Sequence, residues 1–232
     1  MIIERPGSAR GEGRADWLHS RHTFSFSRFY DPQWMGFGAL RVINEDVVAP
    51  GAGFAPHRHA NMEILSYVLD GELSHKDDHG GGGVIRAGEL QWMGAGHGIE
   101  HSEFNASHDR PVHFLQVWLQ PDRLNAAPAY AQRAAPADAD GWTLMASPDG
   151  VAGSLAIRQD ARVWLARLAA GAQAGQALDG ARRYWLHVAQ GRVAACGREL
   201  NAGDALGLVE ESLALAVEAV EPAQVLLFDL PL

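Results

Sequence analysis

The chain has 232 residues, of which 47% are hydrophobic, with a formal net charge of -9, one cysteine and eleven histidines. This length fits one large or two small domains that bury their own cores, and the acidic balance argues against binding nucleic acid through a basic surface. Cys196 is alone, which excludes an intramolecular disulfide and a cysteine-rich zinc site. Any metal ion would therefore be held by histidine and carboxylate side chains.

The same features predict where the protein resides. A single free thiol is typical of the reducing cytoplasm. The sequence has no run of about 18 apolar residues that could span a membrane, and its first residues lack the apolar core of a signal peptide. We therefore expect a cytoplasmic protein that binds neither membranes nor nucleic acid.

Short apolar and aromatic runs, separated by glycine and proline, predict an all-β protein. In chain order they occupy residues 23–29, 39–44, 63–69, 112–119 and 225–230. Runs of this length between turn signals are typical of β-sandwiches and β-barrels, and patterns for long amphipathic helices are scarce. The run 63–69 is apolar at both parities, so we expect it to be buried on both faces.

An Ala/Pro-rich segment after residue 120, PDRLNAAPAYAQRAAPADADG, divides the chain. It predicts an N-terminal domain over residues 1–121, a linker over 122–141 with short helices, and a C-terminal domain over 142–232. The turn motif Arg-Ala-Gly88-Glu-Leu recurs as Asn-Ala-Gly203-Asp-Ala-Leu, which suggests two copies of one β-barrel unit. Ten of the eleven histidines precede residue 114, so we expect only the first copy to carry chemistry.

Two short segments of the first half carry metal-ligand patterns. His57 and His59 are two residues apart after a glycine-rich stretch, and His101 and Glu103 repeat this spacing about 40 residues later. Residues i and i+2 of a strand point to the same face. Two neighbouring strands with such pairs would present three imidazoles and one carboxylate to a single ion. This set suits Fe(II), Mn, Ni, Cu or Zn and leaves positions open for water, dioxygen or substrate.

The other polar candidates have weaker patterns. Glu63 shares parity with His57 and His59 if the strand is unbroken, as a ligand or as an acceptor that orients a histidine ring. His97 lies among glycines and is expected at the entrance of the site. The remaining histidines are expected in a solvated loop (His75, His79), in the core (His113), at the surface or at caps (His19, His22, His108), or as the remnant of a ligand position (His187).

These segments together resemble the pirin family of the cupin superfamily. The resemblance is carried by Thr23-Phe-Ser-Phe-Ser, Phe54-Ala-Pro-His-Arg-His-Ala-Asn-Met-Glu, Ser66-Tyr-Val-Leu-Asp-Gly-Glu-Leu, Gly88-Glu-Leu-Gln-Trp-Met-Gly-Ala-Gly, His101-Ser-Glu and Phe114-Leu-Gln-Val-Trp. It is dense over residues 15–121, and the second half is more loosely similar to the degenerate C-terminal cupin of bacterial members. The resemblance implies a bicupin of two β-barrels facing each other, with one divalent metal in the N-terminal barrel only.

The resemblance also implies a ligand set. Carried over by position, the ligands are His57, His59, His101 and Glu103, the four residues that spacing had singled out. The general cupin pattern would use Glu63 in place of Glu103, whereas the pirin pattern puts Glu63 beside the ion. Fe(II) is the implied metal, with Ni, Mn, Co, Cu or Zn also compatible. His97 departs from the family pattern, which leaves the entrance and the substrate open.

Bacterial members of the family are assigned as quercetin 2,3-dioxygenases. The resemblance thus implies an enzyme that opens the flavonol ring of quercetin with dioxygen and releases carbon monoxide. Because nothing in the sequence signals an obligate interface, we expect a monomer. Glu103 would be the base, with Glu63 as the alternative, and Phe54, Trp92 and Phe104 could line a flat pocket. Vertebrate relatives act as iron-dependent transcriptional co-regulators. The alternative is therefore a non-enzymatic, metal- or redox-dependent regulator that acts through a protein partner.

Overall fold

The computed structural model, which describes residues 1–136 and 141–232, is built almost entirely from β-strands. The first twelve strands are β1 (Ile2–Arg5), β2 (Gly11–Ala15), β3 (Leu18–His22), β4 (Leu40–Val48), β5 (Gly53–His59), β6 (Glu63–Asp70), β7 (Glu72–Asp77), β8 (Gly82–Arg86), β9 (Glu89–Gly94), β10 (Ile99–Asn105), β11 (Val112–Leu119) and β12 (Ala129–Ala134). The other ten are β13 (Trp142–Ser147), β14 (Leu155–Ala156), β15 (Arg162–Leu168), β16 (Gln173–Ala177), β17 (Arg182–Gln190), β18 (Arg192–Ala195), β19 (Arg198–Asn201), β20 (Ala205–Val209), β21 (Ala214–Ala219) and β22 (Ala223–Pro231). Two one-turn 3-10 helices occupy Gly7–Ala9 and Val151–Gly153. No helix in the described part of the chain is long and apolar enough to cross a membrane.

The chain forms two compact units with matching sheets. The first unit contains Gly11–Ala134 and Ile157–Gln159, and the rest of the described chain forms the second. Strand order in the first unit is β12-β9-β6-β11-β4-β3-β2 and β5-β10-β7-β8, and in the second β1-β20-β17-β22-β15-β13-β14 and β16-β21-β18-β19. The central strands of the two units correspond in order, which confirms the prediction of two copies of one unit. The outermost strands differ, since β2 runs antiparallel to β3 whereas β14 runs parallel to β13.

The repeated turn motif has a physical cause. Gly88 and Gly203 precede the equivalent strands β9 and β20 and have φ of 84° and 89°. Only glycine adopts such angles without a steric cost. The motif therefore recurs because both units need the same tight turn at the same place.

The segment between the halves differs from the short helices expected there. Part of the expected linker, 122–141, forms strand β12, which pairs with β9 along its whole length. Helix propensity of alanine is a weak preference, and hydrogen bonding to a free sheet edge overrides it. Residues 137–140 of the linker lie outside the described residues. Strand β1 pairs with β20 in the second unit, and the domain bounds 1–121 and 142–232 stay predictions.

Four of the five apolar runs lie in strands, namely in β4, β6, β11 and β22. Every residue of β6 except Asp70 is buried, which confirms burial on both faces. The run 23–29 instead forms a turn, with one bridge between Phe26 and Phe29 and a left-handed Ser27 at φ 53°. The side chains of Phe26 and Phe29 in this turn line a cavity. The core beside that cavity is apolar and contains Val48, Val68, Leu73, Ile85, Val112 and Phe114.

Candidate metal centre and substrate cavity

Two antiparallel strands of the first unit bring the predicted histidines together. His57 and His59 lie on β5, and His101 on β10 pairs directly with His57. Ring centroids are 4.4 Å apart for His57 and His101, and 4.9 Å apart for His59 and each of the other two. One nitrogen from each ring lies within 4.8 Å of the others. Three imidazoles therefore converge closely enough to bind one ion.

The hydrogen bonds of two of these rings leave a nitrogen free for a metal. His57 Nδ1 lies 2.8 Å from the carbonyl oxygen of Ala55. A carbonyl only accepts, so Nδ1 carries the proton and Nε2 keeps its lone pair. His101 Nε2 is buried and has no hydrogen-bond partner among the described residues. An orphaned buried nitrogen is what a metal ligand looks like without its ion, and the donor set thus fits a divalent transition metal.

Burial keeps the imidazoles of His59 and His101 uncharged. Burial and the neighbouring His57 lower the pKa of His59 to about 4. Burial, followed by the nearby histidines, lowers the pKa of His101 to about 2. Both rings are therefore neutral at pH 7, which is the form that binds a metal.

A fourth histidine, His75, lies behind the three-histidine cluster, and the sequence did not predict it there. His75 is only 2% exposed, which corrects the expectation of a solvated loop. Its Nδ1 lies 3.3 Å from His101 Nδ1, and its Nε2 lies 3.3 Å from Asp77 Oδ2. Leu73, His75 and Asp77 are the buried alternate positions of β7. That period-two pattern is the signal that could have revealed His75.

The contacts of His75 fix the tautomer of His101. Asp77 accepts a hydrogen bond from the Nε2–H of His75. His75 Nδ1 therefore accepts from the Nδ1–H of His101, and His101 Nε2 is left as the free ligand atom. Asp77 is itself fixed, because its Oδ1 accepts from the backbone N–H groups of His79 at 2.9 Å and Gly81 at 2.8 Å. A series of hydrogen bonds of this kind orients metal-binding histidines in many proteins.

Glu103 adjoins the three-histidine cluster through His101. A ladder irregularity between His101 and Glu103 places Glu103 opposite Phe54. Candidate ligand atoms of Glu103, His75 and His101 form a second group within 4.8 Å. Glu103 is thus next to the cluster, while its place as the fourth ligand stays a prediction.

Glu103 is a buried carboxyl that lies within hydrogen-bond distance of two polar side chains. Its Oε2 accepts from Gln116 Nε2 at 2.7 Å, and its Oε1 lies 3.1 Å from the Ser66 hydroxyl. That hydroxyl also lies 2.8 Å from Gln116 Oε1 and has one proton for both acceptors. Burial raises the pKa of Glu103 to about 7. The group can therefore both hold and release a proton near neutral pH.

Glu63 is not part of this centre. Its carboxylate accepts from Trp92 Nε1 at 2.7 Å and from the backbone N–H of Arg158 at 2.9 Å. A break with a left-handed Asn61 at φ 52° separates β5 from β6. The parity shared with His59 in the sequence is lost at this break. Glu63 is therefore absent from both groups of candidate ligand atoms and from the cavity lining, and its role as the alternative base stays a prediction.

Three of the other histidines can be compared with the expectations from the sequence. His97 is exposed, packs against His79 at 6.1 Å and is absent from the cavity lining, so it does not mark the entrance. His22 was expected at the surface but is buried and lines the cavity. His113 was expected in the core but is only half-buried, and its ring bonds Glu45 at 3.0 Å.

The second unit has no equivalent cluster among the residues described. Strands β16 and β21, which correspond to β5 and β10, read QAGQA and ALAVEA and contain no histidine. His187 is buried on β17, the counterpart of β6. It is therefore not the remnant of a ligand position, since β6 contributes nothing to the cluster.

A cavity of about 940 Å³ opens onto His57, His59 and Glu103. Its apolar walls include Trp17, Phe26, Phe29, Phe54 and Trp118. Of the aromatic residues predicted near the ligands, Phe54 lines the cavity, whereas Trp92 and Phe104 do not. The size and the aromatic walls fit a flat, mostly apolar ligand.

The geometry defines a class of protein: a bicupin whose first barrel holds a histidine cluster in a ligand-sized cavity. The family model described as Pirin matches residues 5–119, and the one described as Quercetinase C-terminal cupin domain matches residues 144–230. The chain belongs to the pirin family.

Several relatives match the whole chain. It is 42% identical to a protein named quercetin 2,3-dioxygenase from Escherichia coli K12, over 100% of this chain and 99% of that one. It is 39% identical to a pirin-like protein of Caulobacter vibrioides, over 99% of each chain. The structure of the bacterial pirin YhhW from Escherichia coli in complex with nickel(II) superimposes with a TM-score of 0.94 at 42% identity, covering 100% of this chain and 99% of that one.

Proposed function

We propose that this protein is a metal-dependent dioxygenase that opens the flavonol ring of quercetin with dioxygen and releases carbon monoxide. The observation that carries the proposal is the convergence of His57, His59 and His101 beside Glu103 in a cavity with aromatic walls. The relatives named quercetin 2,3-dioxygenase support the substrate.

We propose His57, His59, His101 and Glu103 as the ligands of one divalent ion, with Fe(II) as the native metal. The nickel(II) complex of the related bacterial pirin supports a transition metal at such a site. The ligand types do not select one metal, since imidazole and carboxylate suit several. When bound, the ion acts as a Lewis acid that lowers the pKa of a hydroxyl group on the substrate.

The chain supplies the proton acceptor. Glu103 lies in the cavity, and burial raises its pKa, which makes its carboxylate a stronger base toward the flavonol 3-hydroxyl. Gln116 and Ser66 hold the carboxyl in place during this transfer. Trp118, which packs edge-on against His59 at 5.0 Å, helps to exclude water beside the cluster. A carboxylate bound to an ion is a poorer base, so Glu103 serves best at the moment when it is not coordinated.

Metal analysis and oxygen uptake test this proposal. The purified protein should contain about one metal per chain, and the double variant His57→Ala/His101→Ala should contain almost none. Protein loaded separately with Fe, Mn, Ni, Co and Cu should consume dioxygen with quercetin and release carbon monoxide. Metal binding by the double variant would contradict the ligand set. A lack of turnover with all five metals would contradict the dioxygenase and favour a regulatory role.

A further inference from the structure

The cavity has a second polar region, away from the histidine cluster, on strands β3 and β4. It consists of Ser20, His22, Asn44 and Asp46, which we call the β3–β4 patch, and all four line the cavity. Each is at most 5% exposed. Burying polar side chains is costly unless they find partners. The patch therefore needs an explanation that the histidine cluster does not provide.

Most groups of the patch satisfy one another. His22 Nδ1 lies 2.9 Å from Asn44 Oδ1, and Ser20 hydrogen-bonds the Asp46 carboxyl. The exception is Asp46 Oδ1, which is buried and has no hydrogen-bond partner within the described ranges. Buried unpaired carboxyl oxygens are rare in folded proteins. Asp46 also lines the cavity, so a molecule bound there is a source from which its carboxyl group can obtain a partner.

The strand register connects the patch to the candidate metal centre. Asn44 pairs with His22 on one side and with Gln116 on the other, and Gln116 donates to Glu103 at 2.7 Å. Asp46 lies two residues further along β4, about 7 Å from Asn44. Asp46 and Glu103 line the same cavity, and Asp46 is near enough to act electrostatically on Glu103, so one aromatic ligand in the cavity can meet both side chains.

We propose that Asp46 is a substrate-positioning residue that binds a phenolic hydroxyl remote from the oxygen at the metal centre, so that the cavity selects polyhydroxylated aromatic substrates. A hydroxyl group fits because it can donate to a carboxylate or accept from a protonated carboxyl. An anionic group would be repelled by Asp46 and Glu103, and Arg14 and Arg28 in the same cavity disfavour a cation. The inference rests on the proposed function for the flavonol class and adds the hydroxyl that is recognised.

Equilibrium binding tests the proposal with two flavonols. Quercetin has several remote hydroxyl groups, whereas 3-hydroxyflavone has only the one beside the ring carbonyl. Nickel-loaded wild-type protein should bind quercetin about tenfold more tightly than 3-hydroxyflavone, as measured by quenching of tryptophan fluorescence. Asp46→Ala should weaken quercetin binding about tenfold and leave 3-hydroxyflavone unchanged. Asp46→Asn should retain most of the preference, because its amide oxygen still accepts a hydrogen bond.

Glu45→Gln is the matched control, since Glu45 is the neighbouring acid on β4 and bonds His113 instead of lining the cavity. The proposal is overturned if Asp46→Ala affects both flavonols equally or neither, if Glu45→Gln acts like it, or if wild-type protein shows no preference. In turnover, Asp46→Ala should raise KM for quercetin about tenfold with kcat little changed.

Oxygen uptake separates this inference from the proposed function. A binding preference that depends on Asp46 in a protein without turnover would retain Asp46 as a positioning residue and refute the dioxygenase. Turnover of both flavonols without dependence on Asp46 would retain the dioxygenase and refute the positioning role.

Discussion

Asp77 is not a candidate ligand but sets the tautomer of His101 through His75, and the variant Asp77→Asn should change that tautomer. The amide oxygen of the variant stays on the backbone N–H groups of His79 and Gly81, because both of them need an acceptor. The amide NH2 must then face His75 Nε2. His75 is forced to accept at Nε2 and to carry its proton on Nδ1, which now meets the proton of His101 Nδ1.

The cost follows from the geometry. Two donors would face each other where the Nδ1 atoms of His75 and His101 are 3.3 Å apart. Either one donor stays unpaired in a buried place, at about 1–3 kcal/mol, or His101 moves its proton to Nε2 and loses its ligand atom. Mutations behind metal-binding histidines typically cost 10–100-fold in metal affinity. We therefore expect nickel(II) affinity to fall about 10–100-fold in Asp77→Asn.

Competition with a chromophoric chelator for nickel(II) measures this affinity on apoprotein. Asp78→Asn is the control, because Asp78 is the neighbouring acid, is exposed, and bonds the backbone N–H of Glu100 instead. It removes the same charge and should bind nickel(II) as wild type does. His75→Asn should retain much of the affinity, because its side-chain oxygen can accept from His101. Wild-type affinity in Asp77→Asn, or an equal loss in Asp78→Asn, would refute the tautomer argument.

Three further predictions follow from burial and packing. Gly53→Ala would place a Cβ 2.2 Å from the backbone oxygen of Glu103. Because this clash pushes β5 away from β10, the variant should be less stable by about 1–3 kcal/mol and should bind metal more weakly. Metal binding as in wild type would contradict this. Burial raises the pKa of Asp46 from 3.8 to about 7, so the free energy of unfolding of the wild type falls as pH rises between these values, by on the order of 4 kcal/mol. In urea unfolding, Asp46→Asn should be more stable than wild type at pH 8 and equally stable near pH 4. A difference in stability that does not change with pH would disprove this. Leu73→Ala, which empties a fully buried position, should cost about 2–5 kcal/mol in the same assay, and a smaller loss would mean that the core collapses around it.

Much of the fold was readable because strands have a short, local period. The runs in β4, β6, β11 and β22 follow from apolar residues between turn signals, and the repeat follows from turn glycines such as Gly88 and Gly203. Where propensity and context disagreed, context decided. The alanine-rich stretch Ala129–Ala134 became a strand because the edge of β9 was available, and residues 23–29 became a cavity wall.

Local spacing in the sequence predicted part of the candidate cluster, and the fold decided the rest. The spacing of His57 and His59 put both on one face of a strand, and the structure brings them to His101. Glu63 shared that parity in the sequence, yet a single left-handed residue, Asn61, ended the strand and turned its carboxylate elsewhere. Parity holds only while a strand is unbroken, and one dihedral angle can end it.

The sequence by itself determined the all-β fold in two copies, the family, and the side chains that could hold a metal, because each of these depends on residue type and local spacing. Only the tertiary structure decided which groups stand behind and opposite them. His75 and Asp77 are distant in sequence from His101, and the pairing of β7 with β10 brings them beside it. Asp46 on β4 likewise lines the same cavity as Glu103 only in the folded chain. The tautomer of His101 and the unpaired oxygen of Asp46 depend on contacts between strands. Such contacts join segments that are far apart in the chain, so no single segment of the sequence predicts them.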